Sequence, residues 1–270
     1  EDFNTLASLG ALKNLDMLVG GDKEFDFNVF YSSVYKAGQY EGSQYALPME
    51  CNPTLMFVNK TLLQKEGIKV PDNDWTWDDF YDICKTIVKD SDGDGQMDQF
   101  GCYDYTWLQA VYSNGITPFN QSGTSSNFLD EKFSQSLEFV KRLEATNRNY
   151  QVTSNDFDLG KVAFRPFTFS DYRTYMPYPW RIKKYSGFEW TCIRMPAGPS
   201  GDNRSEMSAL MAGMSSRTEK KQCAWDFVKL LTTDTDIQKL VYEDTSAASV
   251  LKSVNTSQDT MNLLNKDTPG

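Results

Sequence analysis

Residues 44–101 constrain the fold more than any other stretch, because strand-like and helix-like signals alternate there in an order few architectures accommodate. Leu55-Met56-Phe57-Val58 leaves no polar face, so it predicts a strand covered on both sides. Asn59 follows as a helix N-cap, with Leu62 and Leu63 facing inward, Gly67 suited to a left-handed C-cap and Pro71 preventing continuation. Thr76 with Asp79 forms a variant capping box, and Trp77, Phe80, Cys84 and Ile87 recur at helical spacing, which predicts a second helix with one apolar stripe. That helix runs into an Asp/Gly-rich loop, after which residues 100–103 predict the next strand.

Composition narrows the function by exclusion. With 270 residues and 40% hydrophobic content the chain is long enough for one large domain or two smaller ones. No apolar run approaches the roughly 20 residues a membrane span needs. The net charge of −10 argues against binding nucleic acid through its phosphates. Histidine is absent, which excludes Ser-His-Asp and Cys-His catalysis and histidine-ligated zinc. Five cysteines, at 51, 84, 102, 192 and 223, show no Cys-x-x-Cys spacing. Cys84 and Cys223, on helical segments, are read as buried reduced thiols.

Further along, Leu6, Leu9, Leu12 and Leu15 predict an amphipathic helix broken near Gly10, and no basic-then-apolar export pattern occurs. Phe133, Leu137, Val140 and Leu143 predict the apolar side of a helix, and residues 205–216, rich in small side chains, a close-packed strand. Thr218 is read as the cap of a helix that buries Ala224, Trp225, Phe227, Val228 and Leu231, and Asp234 as the start of another.

Taken in order, these pieces resemble the extracellular solute-binding proteins of ABC importers, the sugar-binding family typified by maltose-binding protein. The resemblance is carried by G-x-x-Y-A-L-P at residues 42–48 ending in V-N-K at 58–60, K-E-G-I at 65–68, Thr76-Trp77-Asp78-Asp79-Phe80 and Asp98-Gln99-Phe100-Gly101. It continues through G-K-x-A at 160–163, M-P-x-G-P at 195–199 and A-W-x-F-x-K-x-L-T at 224–232. It implies an α/β, two-lobed, periplasmic-binding-protein-like (type II) fold with hinge strands and a central ligand cleft. Residues 1–50 and 197–250 would form the first lobe and 51–195 the second, with 251–270 starting a return toward the second. Crossings are expected at residues 46–52 and 192–196, which would make Cys51 and Cys192 neighbours. The family's opening and closing segments, with any export signal or lipid-anchoring cysteine, are expected to lie outside this sequence.

The implied function is capture of a carbohydrate, an oligosaccharide by preference, for uptake, with closure of the lobes on the ligand and no covalent chemistry. Sugar rings need flat aromatic platforms and planar polar groups. Tyr105, Trp107, Phe169, Tyr172 and Trp180, with Glu50, Asn52, Asp171 and Arg173, are such residues on segments the resemblance places beside the cleft. Trp107 and Tyr172 are favoured as stacking rings, while Trp75, Trp77 and Trp225 are assigned to packing. The implied partners are the carbohydrate and the importer's membrane subunits, with the receptor monomeric, extracellular or periplasmic, and in lipid-anchored form at a cell surface. The alternatives are a hydrolase using paired carboxylates and a calcium-dependent adhesion module.

The acidic loop carries its own expectation. Asp90, Asp92 and Asp94 stand at positions 1, 3 and 5 of a calcium loop, Gly95 at the turn, Gln96 at 7 and Asp98 at 9. Position 12 is Gly101 rather than a bidentate glutamate. Either a structural Ca2+ joins helix to strand here or the loop is a solvated turn; no other cofactor is called for.

Overall fold

The computed structural model describes residues 3–120, 123–175 and 187–265. The chain divides into two compact units, one made of Glu1–Asn52 with Met207–Pro269 and the other of Pro53–Glu206.

Helices α1 (Phe3–Ser8), α2 (Asp16–Gly21) and α3 (Ser32–Lys36) lead to a hairpin of β1 (Gln39–Tyr40) and β2 (Ser43–Gln44). Its two-residue turn has positive φ at both Glu41 and Gly42, the backbone that matches the twist of paired strands. Strand β3 (Ala46–Asn59) then runs from the first unit into the second.

The second unit follows with α4 (Lys60–Lys65), α5 (Trp77–Ile87), β4 (Phe100–Cys102), α6 (Trp107–Ser113), α7 (Glu131–Ala145), α8 (Ser154–Asp158), β5 (Val162–Thr168), α9 (Phe169–Tyr175) and β6 (Trp190–Ile193). Local chemistry starts its helices where the sequence says. Asn59 Oδ1 accepts the Leu62 N–H at 2.9 Å, and Thr76 and Asp79 complete their reciprocal box. The sheet order is β4-β5-β3-β6, with β4 parallel to β5 and β3 antiparallel to β5 and β6. Both faces are covered, as the unbroken apolar run at 55–58 requires. Met56, Val58 and Phe164 pack with Trp77, Phe80 and Cys84, while Phe57 packs on Phe157, Phe167 and, at 4.2 Å between ring centres, Trp190.

The return through the first unit comprises β7 (Met207–Gly213), α10 (Lys221–Thr233), α11 (Thr235–Asp244), β8 (Ala248–Ser249), α12 (Lys252–Asn255) and α13 (Gln258–Asn265). Strands β7 and β8 pair with β3, the latter as Glu50↔Ser249 and Cys51↔Ala248. Leu15, Leu47, Met214, Trp225 and Val228 form the core. The buried Gln238 amide ties α11 to this sheet: its Nε2 donates to the Met49 and Leu231 carbonyls, each at 2.9 Å, and its Oε1 accepts from Ser249 Oγ and the Val250 N–H.

Several expectations need correction. Residues 197–206 stay with the second unit, because Ala197 exchanges backbone hydrogen bonds with Trp75 and Trp77, and Asn203 Nδ2 donates to the Trp75 and Met195 carbonyls. The chain therefore leaves that unit after Glu206, not near 192–196. Residues 251–265 belong to the first unit rather than starting a return to the second; Leu251 bridges Phe30, and the Tyr242 hydroxyl donates to Asn255. Cys192 is in register with Phe57 and Cys51 with Ala248, so the two thiols do not pair across β3, and both are free. Cys223 is exposed, as are Leu137 and Phe227; Phe139 takes the place in the α7 stripe expected of Leu137. Strand β7 is half-exposed rather than close-packed, and α10 is capped at Lys220 rather than Thr218. Trp75, Trp77 and Trp225 are buried, as packing residues should be. Among the described residues no helix is long and apolar enough to cross a membrane.

Candidate functional site

Because β4 and β5 are adjacent and parallel, the segments leaving their carboxyl ends, 103–107 and 168–173, emerge at one end of the second unit's sheet. Strand β3 enters at that end, with Thr54 opposite Thr168. Open α/β sheets characteristically hold ligands outside such carboxyl ends.

Trp107 is the first residue of α6, and its side chain stays 41% exposed with one flank against Phe133 at 5.8 Å. Helix α6 begins there because Thr106 Oγ1 accepts the Leu108 N–H at 3.3 Å and Gln109 Oε1 accepts the Thr106 N–H at 2.9 Å. The same Gln109 turns its Nε2 to Glu206 Oε1 at 3.2 Å, an oxygen that also accepts from Thr54 Oγ1 at 3.4 Å. Thr54 N–H donates to the Glu206 carbonyl at 3.1 Å. The Tyr112 hydroxyl is pushed above the usual tyrosine range by burial and then by this carboxylate. Asp104, at φ 63, is exposed in the turn between β4 and α6. Asp104, exposed, and Glu206, half-buried, are thus the accessible polar groups of this edge, and the buried Thr54 and Gln109 hold Glu206 in place.

The other sequence-derived residues divide. Tyr105 is no platform: it is 5% exposed within the core and its hydroxyl accepts the Trp77 Nε1 hydrogen at 3.2 Å. Burial raises that hydroxyl's pKa well above the ordinary value. Phe169 is buried too, and half-buried Tyr172 lies between Phe169 at 5.6 Å and Trp190 at 5.5 Å. Asp171 caps its own helix, its Oδ2 accepting from the Thr168 N–H at 3.1 Å and the Thr168 hydroxyl at 2.7 Å. Arg173 is half-buried on α9. Glu50 and Asn52 are half-buried on the part of β3 that belongs to the first unit. Trp180 lies outside the described residues.

Sequence reasoning missed Thr54, Asp104, Gln109 and Glu206. The box Thr106-x-x-Gln109 was readable as a helix start, but nothing local to Glu206 announces that it meets a residue 97 positions away.

In the acidic loop, carboxylate oxygens of Asp90, Asp92 and Asp98 lie within 4.8 Å of one another. Asp90 accepts the Gly93 and Gly95 N–H groups at 2.6 and 2.7 Å, and these bonds, that from Gly95 first, hold its carboxyl below the usual range. Asp94 is outside the cluster; its Oδ1 accepts the Gln96 N–H at 2.7 Å. Three hard oxygen donors at this spacing suit a cation with oxygen contacts of about 2.3–2.6 Å.

The profile of the bacterial extracellular solute-binding protein family matches residues 2–237. Among solved structures, an ABC substrate-binding protein from Listeria monocytogenes in complex with cycloalternan is 19% identical, with a TM-score of 0.69 over 100% of this chain and 68% of its own. The sugar-binding protein MalE from Xanthomonas citri is 16% identical, with a TM-score of 0.76 over 98% of this chain and 68% of its own. The cyclic alpha-maltosyl-1,6-maltose binding protein from Arthrobacter globiformis is 16% identical, with a TM-score of 0.75 over 99% and 67%. At such identities the likeness is one of fold.

Proposed function

Because this chain belongs to the bacterial extracellular solute-binding protein family, we propose that it is the carbohydrate receptor of an ABC importer, monomeric and working outside the cytoplasm. It hands its ligand unaltered to the importer's membrane subunits. The observation that carries this reading is the exposed Trp107 ring at the carboxyl edge of the sheet, in a segment that also carries the exposed Asp104, with the half-buried Glu206 carboxylate held at the same edge by the buried Gln109 and Thr54 side chains. A pyranose presents an apolar face to such a ring and hydroxyls to such polar groups. Relatives that bind cycloalternan, mannobiose and cyclic maltosyl-maltose support the same class of ligand.

A thermal-shift and calorimetric screen with glucose, maltose, maltotriose, mannobiose and mannitol tests it. A ligand at 100 times its Kd should add about 2.7 kcal/mol of stability. Trp107→Ala should abolish saturable binding while lowering the unliganded melting temperature by no more than about 4 °C. Cleavage products in place of saturable binding would favour the hydrolase instead, and no response to any sugar would overturn the reading. Light scattering at a monomer's mass, with and without sugar, tests the assembly state.

A second proposal concerns the acidic loop, where the convergence of Asp90, Asp92 and Asp98 favours a structural calcium ion. Calcium in the millimolar range should raise the melting temperature of the wild type and not of Asp90→Asn. Equal shifts in both would remove the ion.

A further inference from the structure

Alongside β4, the end strand of the second unit's sheet, runs a cavity of about 730 Å3 lined by residues of that unit alone. One wall is the segment leaving β4, with Tyr103, Asp104 and Trp107; the other is the end of α7 and the loop after it, with Asn147, Tyr150 and Gln151. The volume falls within the roughly 300–1,000 Å3 of small-molecule sites.

Three features describe its occupant. Trp107 and Tyr150 offer partly exposed rings. The Tyr150 ring is fixed, stacked on Phe100 at 4.5 Å and 18° and anchored by its hydroxyl to Asp156 Oδ1 at 3.3 Å. Second, Asn147 Oδ1 is buried without a hydrogen-bond donor among the described residues. A buried acceptor of that kind is stabilised by an incoming hydroxyl. Third, non-glycine residues hold left-handed backbone on both walls, Asp104 at φ 63 on one and Asn149 at φ 67 on the other. Such strain persists where the surroundings over-determine it, as at ligand clamps. Glu144 and Lys141 on the α7 side offset each other, Asp104 on the other wall adds a carboxylate, and the amides of Asn147 and Gln151 are neutral, so the lining disfavours an anion and suits a hydroxyl-rich guest whose O–H groups donate.

We propose that this groove is a subsite for the outer units of an oligosaccharide whose inner ring lies on Trp107. The inference rests on the carbohydrate reading above and adds chain length as a determinant of affinity. Titration of the intact protein with glucose, maltose, maltotriose and maltotetraose, and with mannose, mannobiose and mannotriose, provides the test. Affinity should rise with chain length in at least one series. The double variant Asn147→Ala, Gln151→Ala should lose about tenfold of that gain. Tyr150→Ala should lose it as well, and a thermal melt establishes whether that variant, deprived of its stack on Phe100, remains folded. Equal gains in wild type and the folded variants, or affinity independent of length in the wild type, would overturn the groove and leave the receptor reading standing. Failure of every saccharide to bind the wild type would overturn both.

Discussion

Tyr105 and Trp107 are two residues apart, and the structure gives them opposite roles that a pair of substitutions separates. The Tyr105 ring meets Phe80 at 5.1 Å and Phe139 at 6.0 Å, both edge-on, and its hydroxyl serves Trp77 Nε1 at 3.2 Å. Trp77 Nε1 has a second acceptor, Ser113 Oγ at 3.1 Å. Tyr105→Phe therefore strands no buried donor and should cost one net hydrogen bond, about 1 kcal/mol. Tyr105→Ala empties a ring-sized volume in the core and should cost about 3–5 kcal/mol. That is a large share of the roughly 5–15 kcal/mol of a typical domain. Trp107→Ala removes a 41% exposed ring with Phe133 as its aromatic neighbour, so its cost should be about 1 kcal/mol or less, with loss of sugar binding. Urea midpoints at constant m measure the first quantity and calorimetry the second. A Tyr105→Phe protein with an unchanged midpoint and weakened sugar binding would refute the assignment of Tyr105 to the core.

Gly101→Ala should destabilise the second unit by about 3 kcal/mol, since its Cβ would lie 2.4 Å from Cys84 Cβ and 2.6 Å from Cys84 Cα. Cys84→Ala should not rescue it in urea melts, because the nearest atom remains. Asp22 is held down to about 2 by the Lys229 ammonium and the Trp225 indole N–H, so its stabilisation is complete above the ordinary value of 3.8 and lost as pH falls through about 2. Urea midpoints between those pH values should fall less steeply in Asp22→Asn than in the wild type, and equal slopes would count against the linkage. Gln109→Glu keeps the capping oxygen but sets a carboxylate against Glu206 at a site now closed at 3.2 Å, a repulsion of about 1–4 kcal/mol. Like charges raise the pair's folded pKa, so the variant should lose stability as pH rises through that value, and a pH-independent deficit in its urea midpoint would contradict the like-charge account.

What the sequence revealed was local. The cap at Asn59, the box at Thr76 and the stripe Trp77, Phe80, Cys84, Ile87 depend on spacings within a few residues, and each is present. The unbroken run at 55–58 correctly announced a strand covered on both faces. What it hid was register. Whether Cys192 meets Cys51 or Phe57 depends on where β6 docks along a 14-residue strand, and a slip of a few positions leaves every local pattern intact. The exit from the second unit was misplaced by about ten residues for the same reason, since the hydrogen bonds that hold residues 197–203 to Trp75 and Trp77 join segments over a hundred positions apart.

The aromatics and acids of the edge were hard to read because helix starts and ligand sites there draw on the same side chains. Helices α6 and α9 begin just beyond the carboxyl ends of β4 and β5, each behind a threonine with its partner three residues on. A carboxylate at that third position has only acceptors, and Asp171 Oδ2 takes the Thr168 N–H and hydroxyl. An amide there has both kinds of atom. Gln109 caps α6 with its oxygen and still directs its nitrogen at Glu206, which brings residue 206 to the edge beside Thr54. The choice of amide over acid at one capping position thus links the start of a helix to the polar half of the site. The exposed ring that forms the apolar half is carried one residue past the cap.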